Sequence, residues 1–440
     1  MDNQVLQTIR QKLGDAIRTP FPEMVRRDAA PVQLRGKVQA VIGMRRAGKT
    51  FFLMQCLADR LARGIERERL VYFNFEDERL GGLRAEELGA LIEEYYRQFP
   101  QFRHQAEVIW CLDEIQLVPG WERFVRRVLD AEKVEIFLSG SSARMLSREV
   151  ATSMRGRAME TVITPFSFRE FLRGRHWPDG APHQLPSGAE RSALRAHFDA
   201  YLEIGGFPEA GAYAAARDRV GLLQGYVDTV LFRDVAERHQ VSNLPALRAF
   251  VRQLLRNPAT LLSVSKTHAD FGSRGIAVSK ESLLAFLAHL EDAFLVFTVP
   301  LAARSERRRQ VNPRKLYLAD HGLAQAFSPV AGFDRGRLIE NLVACELSRV
   351  SRDLAYSKTA AGFEVDFLAT DFQDRRQLIQ VAADISSPAT FEREVRALTE
   401  ARKEFPDAAA LLVTESEAPH GSRTPKGIGI VPVWQWLLGH

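Results

Sequence analysis

One short stretch constrains the fold of this chain more than any other. Residues 43–50 read Gly-Met-Arg-Arg-Ala-Gly-Lys-Thr, which fits the pattern G-x-x-x-x-G-K-T in full. The apolar run from Val38 to Ile42 predicts a strand directly before it, and residues 48–63 predict a helix with a leucine stripe directly after it. A glycine-containing turn with a chance lysine is the alternative. Because both flanking elements are present, we predict a phosphate-binding loop at a helix N-terminus.

The residue types of this loop suit a bound nucleotide. Glycines let successive backbone N–H groups turn toward phosphate oxygens. Lys49 is predicted to reach the β- and γ-phosphates of ATP, and the Thr50 hydroxyl to ligate Mg²⁺. Whether Arg45 touches nucleotide, a partner or only water is left open. The predicted nucleotide contacts are Gly43, Arg46, Ala47, Gly48, Lys49, Thr50 and Phe51.

Strand and helix patterns alternate from residue 38 to residue 138, which predicts a parallel sheet with helices on both faces. Ligands of such sheets bind at the carboxyl ends of the strands. The strand Val108 to Leu112 runs into Asp113 and Glu114 there. We expect Asp113 to hold Mg²⁺ through water and Glu114 to orient and deprotonate the attacking water. A solvated strand end is the alternative for such a pair.

Three further residues are candidates for contact with the γ-phosphate. Ser141 follows the next strand, where a hydroxyl could sense this phosphate or only cap the strand end. Arg155 and Arg157 lie just before the last strand of the sheet. Either arginine could neutralise charge on the nucleotide of a neighbouring subunit, or be solvated on a surface loop.

Length and composition limit the number of domains and the class of protein. A chain of 440 residues predicts two to four domains. No apolar run approaches a membrane span, the N-terminus does not resemble a signal peptide, and the three scattered cysteines fit a reducing cytoplasm rather than disulfides or a zinc site. The predicted domains are an N-terminal helix and linker (1–35), a P-loop core (36–165), a helical lid (166–244), a winged-helix-like module (245–318) and a second α/β domain (319–440).

The basic charge is concentrated in one module. The whole chain carries a net charge of +5, whereas residues 248–315 hold twelve Lys or Arg against five acids, a net +7. Three helices and a hairpin in this module resemble a winged helix, whose third helix and wing can contact DNA. Basic side chains there favour backbone contacts with DNA, although a protein-binding wing is the alternative. In the third helix, Leu283, Leu284, Leu287 and Leu290 are expected to face inward, and the predicted DNA contacts are Lys280, Arg304, Arg307, Arg308 and Arg309.

Several motifs in order resemble bacterial and archaeal AAA+ ATPases that carry a winged helix and a C-terminal restriction-endonuclease-like domain. This resemblance covers nearly the whole chain. It implies a homo-oligomer such as a hexameric ring, ATP hydrolysis between subunits, and action on DNA or a regulatory role. Where related lids carry a sensor arginine after Gly-x-Pro, this chain has Glu209. Besides the phosphate loop, the motifs are LDEIQ at 112–116, LSGSS at 138–142, PFSFREF at 165–171, GGFPE at 205–209, GRLIEN at 336–341 and EVDF at 364–367.

The C-terminal domain departs from a working nuclease. The resemblance places Glu340 and Asp366 at the first two metal-ligand positions, but Gln380 and Ala382 stand where an E-x-K motif would supply an acid and a lysine. Phosphodiester cleavage needs anionic oxygens around Mg²⁺. We therefore predict a degenerate nuclease fold that serves DNA binding or assembly. For Glu340 and Asp366, metal binding and a role as relics or fold contacts are both left open.

These observations together predict a Mg²⁺-dependent ATPase that works as an oligomeric motor on DNA, with structured or branched DNA as its substrate. A nucleotide-gated regulatory switch that acts through protein contacts is the alternative. An ATP-dependent nuclease is the third possibility, and the missing acid and lysine argue against it.

Overall fold

The computed structural model describes residues 3–32, 34–140, 156–178, 187–303, 305–328, 334–420 and 423–439. They form two compact units, the first made of residues 1–164 with 292–294 and the second of 165–291 with 295–440. Three predicted site residues, Ser141, Arg155 and Arg304, lie outside the described residues. Among the described helices, none combines the length and the hydropathy that a membrane crossing requires.

The first unit is built on a parallel sheet, as predicted, and five strands of it are described in the order β2-β3-β4-β1-β5. Every residue of β1 and β3 is buried, because helices cover both faces of a parallel sheet. The strands are Val38–Ile42 (β1), Leu70–Asn74 (β2), Val108–Asp113 (β3), Val134–Ser139 (β4) and Ala158–Val162 (β5). The helices are Asn3–Arg18 (α1), Lys49–Ala62 (α2), Gly89–Gln98 (α3) and Trp121–Ala131 (α4).

The N-terminal helix is part of this unit. Its apolar residues recur at helical spacing, and Ile9 and Leu13 are buried in the same core as Tyr95 and Trp110. Lys12 adds an ion pair with Asp77, at 3.1 Å between Nζ and Oδ2. The helix therefore closes one face of the sheet beside β2 and α3.

The second unit begins with helices. Ser167 and Glu170 form a capping box at the start of the first one, since each side chain accepts a hydrogen bond from the other's backbone N–H. Gly205 follows the second helix with φ +86°, and a Cβ there would lie 2.4 Å from Asp320 Oδ1. Gly206 N donates to Asp320 Oδ2 at 2.7 Å, so both glycines serve close packing. The helices are Phe168–Gly174 (α5), Gly188–Ile204 (α6), Ala216–Thr229 (α7) and a π-helix at Val230–Glu237.

Three helices and an antiparallel sheet follow, and the described strands of this sheet have the order β6-β8-β7. The predicted hairpin is β7 and β8, and its tip contains a short helix. The expectation that Leu284 faces inward is wrong, because the buried stripe of its helix runs through Leu283, Phe286 and Leu290 and leaves Leu284 55% exposed. The elements are Leu244–Leu255 (α8), Thr260–Leu262 (β6), Val264–Ser273 (α9), Lys280–Asp292 (α10), Val296–Val299 (β7), Glu306–Val311 (α11) and Arg314–Leu318 (β8).

The last part is a mixed sheet in the order β13-β12-β11-β10-β9 among the described strands. Strands β9, β10 and β11 pair antiparallel, and β11, β12 and β13 pair parallel. Strand β9 was not predicted. The elements are His321–Phe327 (α12), Arg335–Val350 (α13), Ser351–Lys358 (β9), Glu364–Asp371 (β10), Arg376–Ala382 (β11), Pro388–Glu404 (α14), Ala409–Thr414 (β12), Ile428–Pro432 (β13) and Val433–Trp436 (α15).

Candidate nucleotide site and further candidate sites

At two positions of the loop between β1 and α2, the backbone has a conformation that favours glycine. Gly43 has φ +145°, and a Cβ there would lie 2.0 Å from the carbonyl oxygen of Ile163. Gly48 has φ +98° immediately before the first residue of α2. Two glycines at these positions therefore bring the loop around the N-terminus of α2, where backbone N–H groups favour an anion. The other predicted contacts lie on the loop or the first turn of α2, namely Arg46, Ala47 and Phe51.

Lys49 is buried and folds back over the loop. Its ammonium donates to the carbonyl oxygens of Gly43 and Met44, at 3.0 Å each. Arg27 supports the loop from outside, because its guanidinium donates to the Ala47 carbonyl oxygen at 2.7 Å. Arg27 lies in the linker before β1 and belongs to no motif, so sequence reasoning missed it.

Asp113 is the centre of a hydroxyl cluster at the carboxyl end of β3. Its side chain is almost fully buried, and its Oδ2 accepts from Thr50 Oγ1 at 2.8 Å and from Tyr72 Oη at 2.6 Å. Ser139 Oγ donates to its Oδ1. Strands β2 and β4 flank β3, so Tyr72 and Ser139 reach it from either side. The contact between Thr50 and Asp113 joins the two predicted Mg²⁺ ligands, so this donor set fits the cation that accompanies ATP.

Glu114 follows Asp113 in a left-handed backbone conformation with φ +56°. This conformation turns the chain sharply at the end of the strand, and Gln116 Nε2 donates to the Glu114 carboxylate. Burial raises the pKa of Glu114, the Lys49 ammonium opposes that shift, and the negative charge of Asp113 adds to it. A carboxylate with a raised pKa is a better proton acceptor, which suits a general base.

Arg157 lies at the opposite end of the sheet from the loop of its own chain. It precedes β5, which runs parallel to β1, while Ile163 beyond the other end of β5 touches Gly43. The five residues of β5 lie between Arg157 and Ile163 and separate them by about 20 Å. Arg157 forms an ion pair with Asp130 and stays 48% exposed. Its role as a finger toward a neighbouring subunit therefore stays a prediction.

The described residues that were predicted to contact DNA lie on two different helices. Lys280 begins α10 and is exposed, and Arg307 and Arg308 are exposed on α11. Arg309 donates to Asp353 Oδ1 at 2.9 Å, so its charge is already paired within the chain. This pairing weakens the expectation that all the arginines of the tip contact a backbone.

A larger basic surface lies between α8, α9 and β6. It is a groove of about 1120 Å³. Arginines at spacing i, i+4 and i+8 lie on α8 and directly after its last residue, and the same groove is lined by one lysine on α9 and one arginine directly after α9. All five basic side chains are exposed, and Asp270 is the acid that lines the same groove. The basic residues are Arg248, Arg252, Arg256, Lys266 and Arg274.

The two nuclease-like acids meet a buried lysine. Lys315 on β8 is 5% exposed, and its Nζ lies 2.8 Å from Asp366 Oδ1, 3.1 Å from Glu340 Oε1 and 2.9 Å from Glu364 Oε1. Tyr317 Oη donates to Glu340 at 2.8 Å. Burial raises the pKa of Glu340 above its ordinary value, the charge of Asp366 adds to the shift, and the Lys315 ammonium opposes it. Burial alone would lower the pKa of Lys315, but its carboxylate neighbours raise it above the ordinary value.

Gln380 lies beside this cluster on β11 but points into other contacts. Its amide Nε2 donates to Glu394 Oε2 at 2.9 Å, and its Oε1 accepts from the backbone N of Asp366 at 3.3 Å. Over the described ranges of the chain, no group of three or more His, Cys, Asp and Glu side chains is placed to hold a metal ion.

Comparisons with known proteins agree with the geometry of the first unit. A family model described as an AAA domain matches residues 35–172, and a domain of unknown function, DUF8612, matches residues 195–334. The uncharacterized protein MJ1544 of Methanocaldococcus jannaschii is 30% identical over 428 residues, which cover 94% of this chain and 91% of that protein. An uncharacterized protein of Haemophilus influenzae is 28% identical over 349 residues, covering 79% of this chain and 83% of the relative.

Solved structures resemble the chain more weakly. The structure of Caenorhabditis elegans PCH-2 matches with 13% identity and a TM-score of 0.27, covering 46% of this chain and 57% of that chain. A TM-score of this size does not bear on function.

Proposed function

Because this chain belongs to the family of the Methanocaldococcus jannaschii protein MJ1544 and carries an AAA domain, we propose that it is a Mg²⁺-dependent ATPase that acts on DNA as an oligomer. The observation that carries the proposal is the grouping of Lys49, Thr50, Asp113 and Glu114 at one edge of the parallel sheet. These side chains belong to different elements, and together they supply a phosphate-binding cation, a ligand pair for Mg²⁺ and a base.

In the proposed reaction, the loop N–H groups and the Lys49 ammonium hold the β- and γ-phosphates of ATP. Thr50 and Asp113 would hold Mg²⁺, which neutralises charge on the transferred phosphoryl group. The Glu114 carboxylate orients a water molecule toward the γ-phosphate and accepts its proton. Tyr72 and Ser139 keep the Asp113 carboxylate in one orientation. We assign the trans arginine to Arg155 or Arg157 of a neighbouring subunit.

The remaining domains are assigned as parts of the same proposal. Residues 166–244 serve as the lid, and residues 319–440 as a degenerate restriction-endonuclease-like domain. Residues 245–318 serve as a winged helix, which is supported by three helices and a sheet in the order β6-β8-β7. We place DNA in the basic groove between α8 and α9, because five exposed cations there face one acid.

Hydrolysis is tested by steady-state ATP turnover with single-stranded, duplex and four-way junction DNA, and with Glu114→Gln as the matched variant. We expect turnover by the unchanged protein, several-fold stimulation by at least one DNA, and a loss of about 10²- to 10⁴-fold in the variant. ATP binding is expected to persist in the variant. Turnover that survives Glu114→Gln would refute the assignment of the base.

The DNA surface is tested by comparing two double variants that remove equal charge. Arg248→Ala with Arg252→Ala removes two positive charges from the groove. Arg307→Ala with Arg308→Ala removes two positive charges from α11. We expect the groove variant to lower the slope of log affinity against log salt by about 2, since each phosphate contact releases counterions. If the α11 variant alone weakens binding, the groove assignment is wrong and the original tip prediction stands.

A second candidate function is a nucleotide-gated switch that acts through protein contacts. The outward face of α10 favours it, because this face exposes Leu284 together with Glu281, Ala285 and Ala288. An apolar and acidic face suits a protein partner better than a phosphate backbone. Slow turnover that no DNA stimulates, together with loss of a protein partner on Leu284→Asp, would favour the switch over the motor.

A further inference from the structure

The acid cluster around Lys315 combines residues from three separate elements. Lys315 comes from β8, Glu340 from α13, and Glu364 and Asp366 from β10. Three carboxylate oxygens converge on one point, the Lys315 ammonium nitrogen, at 2.8 to 3.1 Å. Carboxylates from a helix and an adjacent strand that converge in this way are what a divalent cation needs.

The ammonium takes the place that such a cation would need. The Lys315 side chain is 5% exposed, so its ammonium is shielded from water and is paired with the carboxylates of the cluster. A buried charge persists only when it is paired, and removal of either partner is costly. The residues present therefore do not fit a metal ion, because the strongest cation position is filled by a side chain that cannot leave.

The side chain of Gln380, next to the cluster, is engaged in other hydrogen bonds. In a working nuclease core its position would carry an acidic ligand, but here its amide joins Glu394 and the backbone of Asp366. Asp366 Oδ2 in turn accepts from the backbone N of Val381 at 2.9 Å. One oxygen of Asp366 is thus used by the sheet and the other by Lys315.

We propose that the Lys315 ammonium is a built-in substitute for a divalent cation, so that this cluster binds no metal and instead fastens β8 to α13 and β10. The cluster is then a joint between the module at 245–318 and the sheet that follows it. Its partners lie 25 and 51 residues further along the chain from Lys315, which makes it a long-range cross-link. This inference does not depend on ATP hydrolysis or on DNA binding.

The test replaces Lys315 by a residue without charge and then adds a divalent cation. Lys315→Ala leaves three carboxylates around an open space, and Ca²⁺, with oxygen distances of about 2.3–2.6 Å, needs only a small contraction of them. We expect Ca²⁺ to raise the melting temperature of Lys315→Ala by several degrees, in nucleotide-free protein. Ca²⁺ is expected to leave the melting temperature of three other proteins unaltered. These are the unchanged protein, Lys315→Met, and the double variant Lys315→Ala with Asp366→Asn. Lys315→Met fills the space without charge.

Direct binding provides the second readout. Tb³⁺ is similar in size to Ca²⁺, and its luminescence is sensitised by a nearby tyrosine such as Tyr317. We expect Asp366-dependent Tb³⁺ luminescence in Lys315→Ala and none in the unchanged protein. If Lys315→Ala does not fold, the proposal is still tested by comparing Tb³⁺ binding by the unchanged protein with Tb³⁺ binding by Asp366→Asn. Asp366-dependent Tb³⁺ binding by the unchanged protein, or Mn²⁺-dependent DNA cutting lost in both Lys315→Ala and Asp366→Asn, would overturn the proposal. A folded Lys315→Ala that gains nothing from Ca²⁺ also overturns it.

Discussion

Tyr72→Phe tests whether the hydroxyl cluster positions the Asp113 carboxylate. The change removes one hydroxyl and leaves the ring, so packing against the sheet is preserved. Asp113 Oδ2 then keeps its bond from Thr50, and Oδ1 keeps its bond from Ser139. Asp113 thus loses one of the three hydroxyl donors that hold it.

The size of the effect follows from these contacts. A hydrogen bond to a charged group contributes about 1.5–3 kcal/mol. Tyr72 is only half-buried, so water can replace part of the lost bond and the lower end of this range applies. A loss of about 1.5 kcal/mol corresponds to about a tenfold change. We expect the Mg²⁺ concentration for half-maximal ATP turnover to rise by about tenfold, as is typical for residues that orient a metal ligand.

The assay is ATP turnover against Mg²⁺ concentration, together with binding of a fluorescent ATP analogue in the absence of Mg²⁺. The second measurement is expected to stay unchanged, because Tyr72 acts through Asp113 and not on the phosphates. Tyr96→Phe is the matched control, since the Tyr96 hydroxyl is buried and has no hydrogen-bond partner among the described residues. A Mg²⁺ requirement in Tyr72→Phe within twofold of the unchanged protein would refute the reasoning, as would an equal shift in Tyr96→Phe.

Two other predictions concern the same unit. Because burial raises the pKa of Glu114 above its ordinary value of 4.5, and because a base must be deprotonated to act, the acidic limb of the pH profile of kcat/KM is expected to lie above that value and to vanish in Glu114→Gln. Gly43→Ala combines a strained φ with a Cβ 2.0 Å from the Ile163 carbonyl oxygen, so we expect thermal unfolding well below that of the control Gly64→Ala. The control has φ +87° and open space around it, and it carries only the backbone strain of about 1–3 kcal/mol. Equal melting temperatures for the two variants would contradict the steric argument.

The sheet of the first unit could be predicted because its strands are short apolar runs separated by helices with one apolar stripe. The phosphate loop and Asp113 followed from local spacing alone. Strand β9 could not be predicted in this way, because Ser351–Lys358 is rich in polar residues and has no regular alternation. Pairing with β10 holds it in the sheet, which is a tertiary effect.

The contacts that complete each site were also beyond sequence reasoning. Tyr72 lies 41 residues from Asp113, and no motif joins the two. Lys315 lies 51 residues before Asp366, in the basic module for which only DNA contacts were predicted and in which Lys315 itself was given no role. The sequence therefore appeared to lack a lysine for the acid cluster, although an upstream strand supplies one. In both cases the fold, and not the spacing along the chain, brings the partners together.

Arg27 ties two distant points of the first unit to each other. Its guanidinium donates to the Ala47 carbonyl of the phosphate loop and, through its second terminal nitrogen, to the carbonyl of Thr164, which follows β5. A nucleotide that draws the loop inward is therefore expected to pull, through one rigid planar group, on the backbone just beyond β5. The segment before β1 thus couples the phosphate loop to the end of β5, and both lie within the first unit.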